Sequence, residues 1–247
     1  MKIPKTVYSL LFAFFAAVAN AQSSGVAVYK IYLNLPPEAL EADKKFLLLR
    51  NAVDAAKDVR FELKYRNDIA NFNEIPNPGI DQVTLNTIRS LAGADKLIAI
   101  DAHKKRVLIE VKENKLLFDK NEFVIEEALA YNWSISDEFK QIGNYKCYKA
   151  TTTQEVNMGD RTVTEKVTAY FCPEIPVPYG PSLYGGLPGL IIELQEKNAA
   201  FVLEEIRFQE VAETEFIIPK GKSVLSRNQY LEVVKKRFET LKELSKQ

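Results

Sequence analysis

The backbone is most tightly dictated between Cys172 and Ile192, CPEIPVPYGPSLYGGLPGLII, which holds five of the chain's eleven prolines and four of its ten glycines. Pro173, Pro176, Pro178 and Pro181 fix φ and withhold backbone donors, so this approach runs extended and outside any central ladder. Gly185 and Gly186 permit close backbone contact. Pro188-Gly189 suits a type II turn, with proline at the second position and glycine supplying positive φ at the third. Leu187, Leu190 and Ile191 anchor such a turn by burial. Two uses fit this stretch. One is a stiff crossover that pins one hairpin to the next. The other is a preorganised pocket wall that presents Tyr179 and Tyr184 from a frame of Gly180, Pro181, Gly186, Leu187, Pro188, Gly189, Leu190 and Ile191.

The segments on either side read as hairpins. Asn144–Val156 and Arg161–Cys172 flank Met158-Gly159-Asp160-Arg161, and a two-residue Gly159-Asp160 turn sets their register. That register puts Tyr148, Ala150, Val156, Val163, Val167, Ala169 and Phe171 on one face and a mostly polar set on the other. It also opposes Cys147 to Cys172 on the polar face at a non-hydrogen-bonded site, where Cα atoms are about 4.5 Å apart, inside the disulfide range. A Cys147–Cys172 disulfide is therefore expected. Downstream, Leu190–Gln195 and Ala200–Phe208 meet around Lys197-Asn198. Ile206 and Phe208 break parity with Phe201 and Leu203, which predicts a bulge at Glu204-Glu205.

Elsewhere, Val26–Leu33 and Val59–Tyr65 alternate as strands, and Glu38–Lys57 carries a helical apolar pattern. Asp81 caps a second predicted helix, Gln82–Leu91, with Val83, Ile88 and Leu91 inward and Gly93 ending it. Lys96–Asp101 and Arg106–Val111 flank the polar turn Ala102–Lys105. Lys115–Phe118 and Glu122–Ile125 read as further strand. Ser226 caps a last helix, Arg227–Leu244, striped by Tyr230, Val234, Phe238 and Leu241.

The N-terminus reads as an export signal. Lys2 and Lys5 precede the apolar run Tyr8–Val18, and Ala19-Asn20-Ala21 is a small-x-small cleavage site. The apolar run is short of the roughly 20 residues a membrane anchor needs. The expectation is a signal peptide over 1–21, one domain over 22–247, and an exported, periplasmic or secreted protein with no membrane anchor after cleavage.

Charge and residue inventory exclude several functions. Lys+Arg and Asp+Glu number 33 each, without the clustered positive surface that nucleic acid requires. His103 is the chain's one histidine, and it sits among lysines in a turn, so neither a Ser-His-Asp nor a Cys-His arrangement is indicated. A zinc site lacks ligands, and the GGLPG run carries no phosphate-loop Lys-Ser/Thr. No catalytic residue, metal or cofactor is expected. Acid pairs such as Glu126-Glu127 and Glu204-Glu205, and Glu174 within the rigid stretch, leave a carboxylate hydrolase as a remote alternative.

Gly186 to Ile191 spells GLPGLI. Gly180-Pro181 and Tyr184 ahead of it, Cys147 with Lys149-Ala150, Ala169-Tyr170-Phe171, Pro173–Pro176, Phe61-Glu62-Leu63 and Phe72 complete a pattern that resembles the GLPGLI family of exported Bacteroidetes proteins. Phe171-Cys172 departs from that pattern, where an aromatic–Thr or similar pair is usual. The resemblance implies an envelope location and a predominantly antiparallel fold, and it implies no established activity.

Together these readings predict an α+β domain: a large, curved, mostly antiparallel sheet, half-open like a barrel, with helices packed on it including one at the C-terminus. The expected function is non-enzymatic binding of an apolar small molecule or peptide in the sheet's concavity. The alternative is an interaction module serving an envelope protein complex, which predicts a closed core and an exposed patch or strand edge.

Overall fold

The computed structural model describes residues 23–37, 43–94, 96–114, 116–129, 131–157 and 162–244. The predicted export signal and the Met158–Arg161 turn lie outside the described residues. Among the described residues, no helix is long and apolar enough to cross a membrane.

The N-terminal half is a meander around two helices. β1 (Ser24–Leu33) is followed by α1 (Asp43–Ala56), the hairpin β2 (Arg60–Arg66) and β3 (Ile69–Ile75), α2 (Gln82–Ala92), and then β4 (Ile98–Asp101), β5 (Arg106–Glu110) and β6 (Phe123–Ala128). The α2 ends follow the sequence. Asp81 accepts from the Val83 and Thr84 amides, and Gly93 closes the helix at φ 60°. Leu85 and Ile88 face inward, whereas Val83, expected inside, is exposed. Of the Lys115–Phe118 strand expected from sequence, Lys115 lies outside the described residues, and Leu116–Phe118 form a tight turn, with Phe118 bonded back to Asn114.

The second half comprises β7 (Ser134–Ile142), β8 (Tyr145–Asn157), β9 (Thr162–Cys172), β10 (Leu190–Gln195), β11 (Ala199–Phe208), β12 (Ser223–Leu225) and α3 (Arg227–Leu244). The twelve strands form one sheet in the order β12-β6-β5-β4-β3-β2-β1-β11-β10-β9-β8-β7. All pairings are antiparallel except β12 with β6. β8 and β9 pair from Tyr148–Phe171 to Asn157–Thr162, the register that the two-residue turn predicts. The predicted bulge is also present: Val28 faces Glu205 and Tyr29 faces Leu203, which leaves Glu204 as the extra residue.

One short connection dictates the sheet's curvature. β6 and β7 stand ten places apart in the strand order, roughly 48 Å if the sheet were flat. The chain from Ala128 to Ser134 can reach only about 20 Å. The sheet must therefore curl until its two ends face each other. It stays open: among the described residues, β7 pairs with β8 alone and β12 with β6 alone. The concave face is apolar, with Phe61, Phe72 and Phe201 packed at its centre in stacked and edge-on pairs. α1 and α2 pack on each other and on β1, and bring Ala52, Ala56, Leu85 and Ile88 into that core. α3 rests on β6 and β12, its Tyr230 ring against Phe118 and Phe123, while Phe238 further along stays exposed.

Candidate functional site

The Cys172–Ile192 stretch is a strap laid across the concave face between β9 and β10. Its side chains alternate: Ile175, Val177 and Tyr179 are buried, and Pro173, Pro176 and Pro178 are exposed. Tyr179 is 1% exposed, packs on Tyr65 and donates its hydroxyl to Asn67 O at 2.9 Å. Tyr29 on β1 donates to Ile191 O at 2.8 Å. Gly186 N and Ile191 N donate to Pro178 O and Tyr179 O, so the strap folds back on itself. Leu187, Leu190 and Ile191 are buried as the sequence predicts, and so are Gly180 and Pro181; Gly186 (φ 82°) and Pro188 are exposed.

The turn at Pro188 is not type II. Gly189 N donates to Leu187 O at 2.8 Å, a three-residue turn centred on proline, because Leu190 N is taken by Ile175 O at 2.9 Å. Gly189 is required for a second reason. A Cβ there would stand 2.2 Å from Cys172 O.

The expected disulfide is absent: Cys147 and Cys172 are free thiols. The β8–β9 ladder stops at Tyr148–Phe171. At Cys172 the chain leaves β9 through a turn closed by Ile175 N and Cys172 O, so the two cysteines are not held as a ladder pair. The face they share is not open either. Lys140, opposite Cys147 on β7, crosses over the Tyr170 ring (3.8 Å) to Glu193 on β10 (2.7 Å), and both thiols are fully buried. Burial first, then the neighbouring Cys172, pushes the Cys147 thiol up to about 12, so it stays protonated and unreactive.

Tyr184, at the strap's other end, joins the segment that links β6 to β7. Its ring lies 4.8 Å from that of Tyr131 and 6.1 Å from Trp133, and Trp133 Nε1 donates to Gly185 O at 2.9 Å. The Tyr184 hydroxyl stands 2.7 Å from Gln154 Oε1 on β8 and 3.0 Å from Glu196 Oε1 in the β10–β11 turn. Gln154 Nε2 reaches the same Glu196 oxygen at 3.3 Å. Burial raises the Glu196 carboxyl above the ordinary carboxylate range. The Tyr184 and Gln154 hydrogen bonds oppose that rise and the Glu165 charge adds to it. Glu165 is itself ion-paired with Lys197 at 2.9 Å. Glu196 was invisible to sequence reasoning, because its partners come from three other segments. The acids singled out by sequence are surface ones: Glu174 is exposed, Glu204 pairs with Lys30 and Arg60, Glu126 with Arg106 and Glu127 with Arg227.

Two surface features lie off the strap. A cleft of about 560 Å³ opens between α2 and the β3, β5 ends, floored by the bidentate Arg89–Glu74 pair. The other is a lip where β7 and β8 run past the strap. Ile135 and Phe139 face Ala150 and Tyr148, on the side that carries Phe171, yet are 54% and 59% exposed. Phe139, Tyr148 and Phe171 form a row of rings from edge to core, and Lys146 Nζ sits 4.2 Å over Phe139.

Residues 157–193, from the last residue of β8 through β9 and the strap into β10, match a family model described as a protein of unknown function, Porph_ging. No curated protein matches the chain. Two solved structures do, both described as PNGF-II. One, in space group P21, gives a TM-score of 0.51 at 12% identity, covering 87% of this chain and 34% of its own. The other, in space group C2, gives 0.50 at 13%, covering 87% and 33%. The chain thus spans about a third of the length of those proteins, and at this identity the likeness is one of fold.

Proposed function

We propose that this is an exported, non-enzymatic binding module of the cell envelope that takes an extended polypeptide segment on the β7–β8 lip. One observation carries the reading. The outermost strand has a neighbour on one side only among the described residues, and it carries Phe139, the exposed end of a row of aromatic rings that runs into the core. A segment added there would gain main-chain hydrogen bonds from the edge and pockets for alternate apolar side chains. The bulge between Ile135 and Phe139 leaves Phe139–Ile142 as the longest regularly paired run, so the segment is short. The envelope location rests on the GLPGLI pattern and the N-terminal export signal. The other form of binding, an apolar molecule beside Tyr179, Tyr184 and Leu187, finds those side chains buried in the core.

The test is selection of displayed peptides on the wild-type protein, with Phe139→Ser as the counter-target. Selected peptides should alternate apolar residues and bind the variant at least about tenfold more weakly, the loss of one well-placed ring. Peptides indifferent to Phe139 would overturn the reading.

A further inference from the structure

We propose that Glu196 is a protonated carboxylic acid in the folded protein and that its proton latches the strap's Tyr184 end, so that ionisation unfastens it. The argument is a count of hydrogens. The Tyr184 phenol has one hydrogen and faces two oxygens, Gln154 Oε1 at 2.7 Å and Glu196 Oε1 at 3.0 Å. It can donate to only one of them. With Glu196 protonated the ring closes: Glu196 donates to the Tyr184 oxygen, Tyr184 to Gln154 Oε1, and Gln154 Nε2 to Glu196 Oε1 at 3.3 Å. Turning the Gln154 amide does not remove the need. Its oxygen would then face Glu196 Oε1 at that distance, a repulsive contact unless the acid supplies a hydrogen.

The groups that face this ring act in the same direction. Glu165 on β9 adds a negative charge that disfavours a second one, and Lys197, the next residue in the chain, is engaged by Glu165. The Tyr131 ring covers the Tyr184 side, and the charges behind it, Glu127 and Arg227, pair with each other. An ionised Glu196 would be a buried anion beside Glu165 with one acceptor–acceptor contact in its ring.

The sign follows from linkage. An acid whose folded form holds its proton more tightly than the unfolded form contributes stability that is fully present below the ordinary carboxyl value of 4.5 and lost as pH rises through the raised folded value. The test compares urea midpoints of the wild type and Glu196→Gln from pH 4.5 upward. Glutamine keeps a donor and an acceptor and carries no proton to lose, so the variant's advantage over wild type should grow with pH. An advantage that stays constant, or a variant that loses stability as steeply as wild type, overturns the proposal. Glu165→Gln should move the wild-type loss to lower pH. Amide exchange gives a second readout. Once corrected for intrinsic rate, Gly186 protection in the wild type should fall by up to about tenfold per pH unit in this window, while in Glu196→Gln it holds. Equal pH dependence in the two proteins would also overturn it.

Discussion

The strap and the β7–β8 lip share a concave face and are built in opposite ways. The strap has the chain's most restricted backbone, and its main polar anchors lie inside the protein: Tyr179 on Asn67, Tyr184 on Gln154 and Glu196, and several of its amides on its own carbonyls. The lip has ordinary strand residues, and leaves two large apolar side chains in water. A rigid, motif-like segment therefore marks where this fold is locked. The surface that could meet a partner lies where the lock stops.

That contrast can be broken experimentally. The largest effect is expected from Gly189→Ala. Its Cβ would collide with Cys172 O and the residue sits at φ 156°, so a loss of about 3–5 kcal/mol, or failure to fold, should appear in chemical denaturation. Leu187→Ala, in the buried part of the strap, should cost about 2–4 kcal/mol by the same measurement. Phe139→Ser on the lip should stay within about 0.5–1 kcal/mol of wild type while losing the selected peptides. If Phe139→Ser destabilised as much as Leu187→Ala, the lip would be core and the distinction would fail. The smallest effect belongs to Tyr65→Phe. Among the described residues the buried Tyr65 hydroxyl has no hydrogen-bond partner, so removing it should be neutral or stabilising by up to about 1 kcal/mol in thermal unfolding.

Sequence reasoning read the hairpins well, because their information is local. The β8–β9 register follows from one two-residue turn, and the bulge at Glu204 from a change of parity between Leu203 and Ile206. It missed β3, whose sequence IANFNEI places Asn71 at a buried position. That asparagine is satisfied by the Ile217 backbone, donating to its carbonyl at 2.9 Å and accepting from its amide at 2.6 Å. A partner so far along the chain leaves no mark near the strand. β7 was missed too, because Asp137 and Glu138 interrupt the apolar pattern; they are exposed residues of its bulge. The cysteine pairing was the one error of consequence. The register was right, but pairing faces is not the same as continuing a ladder, and the chain departs at Cys172 one step too soon. Of the candidate site, the strap was legible as a constraint, while its buried acid was not. Glu196 sits beside a lysine in a polar turn, and only the assembled sheet buries it.

The place of β1 in the strand order bears on how the molecule reaches this state. β2 to β6 zip to sequence neighbours, as do β7 to β11, so each wing can assemble from nearby pieces. The seam between the wings is Ser24–Leu33 against Ala199–Phe208, the first strand against the eleventh. Closing so long a loop comes with an entropic penalty that nearby contacts do not incur, which makes it the slow event. Until residue 208 has arrived, both wings wait with a bare flank, and the β1 flank is the one most in need of a chaperone's cover.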